Sequence, residues 1–272
     1  MTFYTFYAII KIGTLEGVYR MYQREKEIIK KLFSTCPFTI DGLKNLEDHA
    51  SRLWAKFRHI ENVASLMERA AELADFSDKE KLMAFTAGQF HDIACINDIA
   101  LTGKEYGPQH GARGAIITYG LLKLQYDGFA DDEIETIITA IANHDGAKPE
   151  ILSGFTKTLT EMLRDCDKVD CYRRQSTEPL ESVFQRPLVF DAPVRQQFAM
   201  DCLSGKPMKY AEMQNFNEEA ILYMGWFFQL ISEPCKKVAY PYFEAFVKRV
   251  MATTKNEDVK VYAKKALAKA KS

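Results

Sequence analysis

The sequence predicts an all-α fold, and three observations predict it. Apolar residues recur at helical spacing through most of the 272-residue chain. No stretch sustains the strict polar/apolar alternation of a half-buried strand. The interruptions fall at discrete breaks, among them Gly103, Gly107 and Pro108.

Taken in order, residues 1–48 read as an N-terminal extension and a lead-in helix. The opening MTFYTFYAIIKIGTLEGVYR is apolar, but Lys11 interrupts it and no basic leader precedes it. It is too short for a membrane helix and poor as a signal peptide. A docking strand and an ill-ordered extension are both open for it, with Met21 as an alternative start. Next, His59, Val63, Leu66, Ala70 and Leu73 fall on one helical face. EKLMAFTAGQFHDIAC is apolar nearly all round, which predicts a central buried helix with His91 and Asp92 near its end. INDIALTGKEYGPQ reads as a loop. A helix beginning near His110 then carries His110, Gly114, Ile117 and Leu121 on one stripe. After the turn DGFADD, with Asp131 or Asp132 as N-cap, a helix stacks Ile134, Ile137, Ile141 and His144. Beyond GAKPEILSG, the run TKTLTEMLRDCDKVDCYRR sets Leu159, Leu163, Asp167 and Asp170 toward one side. Residues 176–190 look irregular. Helical runs follow over roughly 191–203, 217–232, 234–253 and 256–270, the last of them solvated. The expected division is therefore a lead-in at 1–48, a core at 49–175 and a C-terminal helical region at 176–272.

The net charge of −1 offers no basic balance to recruit nucleic acid or an anionic membrane. The six cysteines are scattered without a C-x-x-C pair, so they read as reduced thiols in a cytoplasmic protein. Cys166 and Cys171 flank Asp167; small apolar packing is the expected role, with a soft metal ligand as the alternative. Trp54 and Trp226 read as core.

The chain has five histidines, and four of them fall into the order H…HD…H…H…D: His59, His91-Asp92, His110, His144 and Asp167. His59, His144 and Asp167 each continue an apolar stripe. A buried ionisable group needs a partner, because desolvating it alone costs several kcal/mol. Several such groups facing one core can partner each other around a metal. Imidazole and carboxylate together suit divalent transition metals. Each group alone also has a plainer reading: a satisfied core histidine, or for Asp167 a salt bridge to Arg164 or Lys168. His49 reads as structural or exposed.

From His59 to Arg174 the chain resembles the HD-domain superfamily of metal-dependent phosphohydrolases. The elements are FRHIENV, FHDIA, QHGARGA, ANHDGA and LRDCDKVD, in that family's order. The resemblance implies an HD-type helical bundle with additional C-terminal helices. It implies His59, His91, Asp92 and Asp167 as ligands of a first metal. It implies His110 and His144 as ligands of a second, with Asp92 bridging. Iron, manganese, cobalt, nickel and zinc all suit such a donor set. No GYP tripeptide stands near His144, and no ED pair stands at the offset used by hydrolases of guanosine tetraphosphate.

Such a centre would let a metal-activated water attack phosphorus in line. Lys104, Arg113 and Lys168 are the candidate cations for phosphate oxygens. Asp145 and Asn143 flank His144 as groups that orient a ligand or the water, Asp145 also as a general acid or helix cap. Asp170 reads as a salt-bridge partner, with support of a ligand or the water as the alternative. The expected activity is a phosphohydrolase acting on a small phosphomonoester or phosphodiester, a nucleotide among the candidates. Two alternatives stand beside it: an HD-type di-iron oxygenase of a small alcohol or phosphonate, and a non-catalytic ligand-binding regulator. No nucleic-acid or membrane partner is expected. A homodimer through the C-terminal helices is open, with no strong heptad to specify it.

Overall fold

The computed structural model describes residues 21–34, 46–104, 109–145 and 151–271. Among these residues the chain is all-α, without a strand. The expectations for residues 1–20 lie outside the described residues. No described helix is long and apolar enough to cross a membrane.

The chain divides into two compact units, Met1–Leu163 and Arg164–Ser272. The first contains α1 (21–34), α2 (Leu46–Leu73), α3 (Asp78–Phe90), α4 (Ile93–Thr102), α5 (His110–Gln125), α6 (Asp131–Ala142) and the start of α7 (Gly154–Thr177). Helix α3 is its centre and packs on α2, α5 and α6. Every residue from Leu82 to Phe90 is buried, as the all-round apolar pattern predicts. Ser77 and Glu80 start the helix with a reciprocal capping box. The α2–α3 approach is close enough to exclude a side chain at Gly88, where a Cβ would lie 2.7 Å from the Ala64 Cα.

Four local expectations are corrected. The His91-Asp92 pair does not end a continuous helix. It forms a turn between α3 and α4, and INDIALT continues as α4 instead of a loop. The loop expectation placed the break too late. Helix α4 ends at Gly103, whose φ of 70° favours glycine and whose added Cβ would collide with the His49 ring. The N-cap of α6 is Ala130, not Asp131 or Asp132. Both aspartates lie in its first turn, and Glu133 receives the Ala130 N–H instead, at 2.7 Å. Trp54 is not core but 68% exposed, because the buried stripe of α2 runs through Leu53, Lys56, Ile60 and Val63.

The second unit holds the rest of α7, then α8 (Leu180–Val183), α9 (Gln196–Ser204), α10 (Phe216–Trp226), α11 (Glu233–Thr253) and α12 (Glu257–Lys271). Its centre is α10, buried from Phe216 to Gly225 and packed on α9, α11 and α12. The irregular stretch before α9 is fastened to the start of α10. Glu219 accepts the Gln185 and Arg186 backbone N–H groups, each at 2.8 Å, and Glu218 accepts the Arg195 guanidinium at 2.7 Å. Asn217 donates to the Ala192 carbonyl at 2.7 Å. These buried groups are satisfied by backbone and arginine, as buried polar groups must be. Asp170 meets Arg173 at 2.6 Å, the salt bridge expected of it.

Gly88→Ala should destabilise the protein by about 1–3 kcal/mol in urea unfolding, because the close α2–α3 contact must open. Gly120→Ala, facing open space inside α5, should be neutral or stabilise by about 0.5–1 kcal/mol. Equal effects of the two would contradict the close packing at Gly88.

Candidate metal centre

Five of the six expected ligands lie in the first unit, and the structure brings all five together. His59 comes from α2. His91 and Asp92 come from the α3–α4 turn, His110 opens α5, and His144 follows the end of α6. The turn explains how neighbours can serve one centre. Side chains adjacent on a helix diverge by about 100°, but Asp92 leaves helical geometry at φ −108°, ψ 20°.

The Asp92 carboxylate is shared between two pairs of imidazoles. Its Oδ2 lies 3.4 Å from His59 Nε2 and 3.4 Å from His91 Nε2. Its Oδ1 lies 3.5 Å from His110 Nε2 and 3.5 Å from His144 Nε2. His59 Nε2 and His91 Nε2 are themselves 3.2 Å apart. The result is two groups of potential metal donors, His59–His91–Asp92 and Asp92–His110–His144, joined at one residue.

Backbone and side-chain acceptors set the imidazole tautomers. His91 Nδ1 lies 2.8 Å from the Gly88 carbonyl, and His144 Nδ1 lies 2.7 Å from the Ile141 carbonyl. A carbonyl only accepts, so each Nδ1 carries a proton; the Nε2 turned to Asp92 then donates to the carboxylate when the ring is protonated and presents a lone pair to a metal when the ring is neutral. His110 Nδ1 faces Asp145 Oδ2 at 3.0 Å. The same oxygen accepts the Gly111 backbone N–H at 3.2 Å. Gly111 is required there, since a Cβ would lie 2.8 Å from Asp145 Oδ1 and 2.9 Å from the Ile141 carbonyl. Asp145 thus holds His110 in orientation.

This arrangement fits a metal ion. Donors about 2.0–2.1 Å from one ion lie roughly 3.0–3.4 Å from each other. The edges of the His59–His91–Asp92 group, 3.2–3.4 Å, match that spacing. Imidazole nitrogens with converging lone pairs suit a transition metal better than calcium.

A further charged group completes the site. The Lys56 ammonium, on α2 one turn before His59, donates to Asp92 Oδ2 at 2.8 Å, with both side chains 5% exposed. Lys56 is not among the residues that the sequence pattern points to. Its signal was a lysine on the buried face of α2, between Leu53 and Ile60. Burial pushes the Asp92 carboxyl up, but His91, Lys56 and hydrogen bonds with His144 and His59 outweigh it. They hold the group ionised, well below the usual carboxylate range. Burial pushes His110 below the usual imidazole value against the pull of Asp92. The Cys95 thiol donates to Asp92 Oδ1 at 3.4 Å.

The other expected residues are placed differently. Arg113 forms two hydrogen bonds with Asp98, at 2.8 and 2.6 Å. Lys104 is exposed, and Asn143 donates its amide to the Thr139 carbonyl at 3.0 Å. Asp167 and Lys168 belong to the second unit, both half-buried, and neither metal-donor group includes Asp167. The Lys168 ammonium meets the Arg164 carbonyl at 3.4 Å. His49 is half-buried against Gly103, in keeping with a structural role.

No family model matches the chain, and no curated protein or solved structure matches it. The site's chemistry therefore rests on its own geometry.

Asp145→Asn should weaken uptake of one ion by about 10- to 100-fold, because His110 loses its charged support. A Co²⁺ titration followed by visible absorption measures this. Unchanged affinity would remove Asp145 from the site.

Proposed function

We propose that the protein is a metal-dependent phosphohydrolase of the HD-domain type, acting on a small phosphomonoester or phosphodiester. The observation that carries the reading is the carboxylate of Asp92, with each oxygen turned to a separate pair of imidazoles. The ordered motifs from His59 to Arg174 support it. In this reading His59, His91 and Asp92 hold one divalent ion, and Asp92, His110 and His144 hold a second. Such ions supply Lewis acidity toward a phosphoryl oxygen and acidify water at neutral pH.

The protein's own groups do the rest. His91, His110 and His144 are held in orientation through their Nδ1 atoms, so little reorganisation accompanies binding. Asp92 stays ionised and acts as ligand rather than acid. Lys56 places a buried positive charge beside the donors, which favours an anionic substrate over a neutral one. Asp145 serves His110 as a positioning residue. The Asp98 pairing draws Arg113 away from the part of free phosphate-binding cation. Nucleotides are the substrates to screen first.

Asp92→Ala should leave the helical circular-dichroism spectrum intact while abolishing metal loading and turnover. His110→Ala or His144→Ala should lower bound metal from about two ions per chain to about one, by elemental analysis. A panel of phosphomonoesters and phosphodiesters with Mn²⁺ or Co²⁺ should release phosphate or alcohol. Oxygen consumption by an iron-loaded protein, without hydrolysis, would instead make it an oxygenase. Full turnover in Asp92→Ala would sink the assignment.

Metal occupancy should also fall with acidification. The imidazole ligands bind as neutral bases, so protons compete with the ion as the pH falls. Dialysis at stepped pH followed by elemental analysis checks this. Occupancy that rises on acidification would contradict imidazole ligation.

A further inference from the structure

Lys56 meets the shared carboxylate at one of its two oxygens. Its ammonium lies 2.8 Å from Asp92 Oδ2, the oxygen facing His59 and His91. The other oxygen, facing His110 and His144, receives the neutral Cys95 thiol at 3.4 Å. The two groups of donors are alike in chemistry, each offering two imidazole nitrogens and one carboxylate oxygen. They are unlike in electrostatic surroundings. An ion on the Oδ2 side shares its oxygen with a fixed positive charge. The repulsion is strong because Lys56 and Asp92 are both buried, where water screens little. The hydrogen bond from Lys56 also draws on the electron density that Oδ2 offers a metal. An ion on the Oδ1 side is separated from the ammonium by the whole carboxylate.

We infer that Lys56 makes the two ion positions unequal, selectively weakening the ion held by His59, His91 and Asp92 Oδ2. The inference rests on the dinuclear reading above and adds a regulatory property to it. One ion is held below the affinity its donors alone would give, and it is the ion that exchanges with the surrounding metal pool. Lys56 is a positioning residue in this role: it acts on the metal through Asp92. Its place on α2, one helical turn before His59, keeps the charge fixed relative to one of the ligands it affects.

The test is a Mn²⁺ titration of metal-free full-length protein, followed by electron paramagnetic resonance and calorimetry. His59→Ala and His110→Ala identify which binding step belongs to which position, since each should delete a different one. Lys56→Gln removes the charge but keeps a hydrogen-bond donor for Asp92. It should tighten the step deleted in His59→Ala by about tenfold or more, and change the step deleted in His110→Ala by less than about threefold. Lys56→Met, similar in length and apolar, should show the same selective gain if the glutamine variant folds poorly. Lys56→Arg keeps the charge and should retain both wild-type constants. An unchanged or weaker His59-side step in the neutral variants would overturn the inference, as would an equal gain at both positions. Wild-type protein that takes up no Mn²⁺, Co²⁺ or Fe²⁺ would overturn the metal reading itself, and that result needs no Lys56 variant to be recognised.

Discussion

The site depends on one buried carboxylate. Asp92 accepts the Lys56 ammonium and faces four imidazole nitrogens, two to each oxygen. An isolated ionised carboxylate this deep would cost several kcal/mol. The Lys56 ammonium, and imidazoles that donate from Nε2 when protonated, offset that cost and keep the group charged. The fold is arranged to make this possible. Helix α3 stops at Phe90 so that His91 and Asp92 turn inward from one point, and α2, α5 and the end of α6 each bring a histidine to it.

The second unit shows what a buried carboxylate looks like when it serves structure. Glu218 and Glu219 are fully buried, yet their acceptors are filled by backbone N–H groups, the Arg195 guanidinium and the Tyr223 hydroxyl. Among the described residues, no group of potential metal donors includes either of them. Asp92 has neighbours of the opposite kind: three of its imidazoles have their Nδ1 atoms engaged elsewhere. When such a ring is neutral, its Nε2 offers the cluster a lone pair, which invites a cation. The contrast separates a ligand set from a structural brace using contacts alone.

Much of this was legible in the sequence, for identifiable reasons. Histidine is rare in the chain, so the order of His59, His91, His110 and His144 stood out, and helical spacing placed His59 and His144 on apolar faces. The all-round apolar run of α3 announced its central place. The turn at His91-Asp92 was not legible, because neither glycine nor proline marks it and tertiary packing decides it. Lys56 escaped because a lysine usually reads as solvated, although it occupied a buried stripe position. From sequence Arg113 is an available cation, because its partner Asp98 comes from α4, where the pattern of breakers predicts a loop. Trp54 looked like core by residue type, when its place beside the buried stripe of α2 sends it to solvent.

The most direct test of a shared carboxylate is anomalous diffraction from crystals of the protein loaded with manganese or cobalt. The account expects two anomalous peaks, one against each oxygen of Asp92, with His59 and His91 around the first and His110 and His144 around the second. A lone peak, or peaks remote from Asp92, would contradict it.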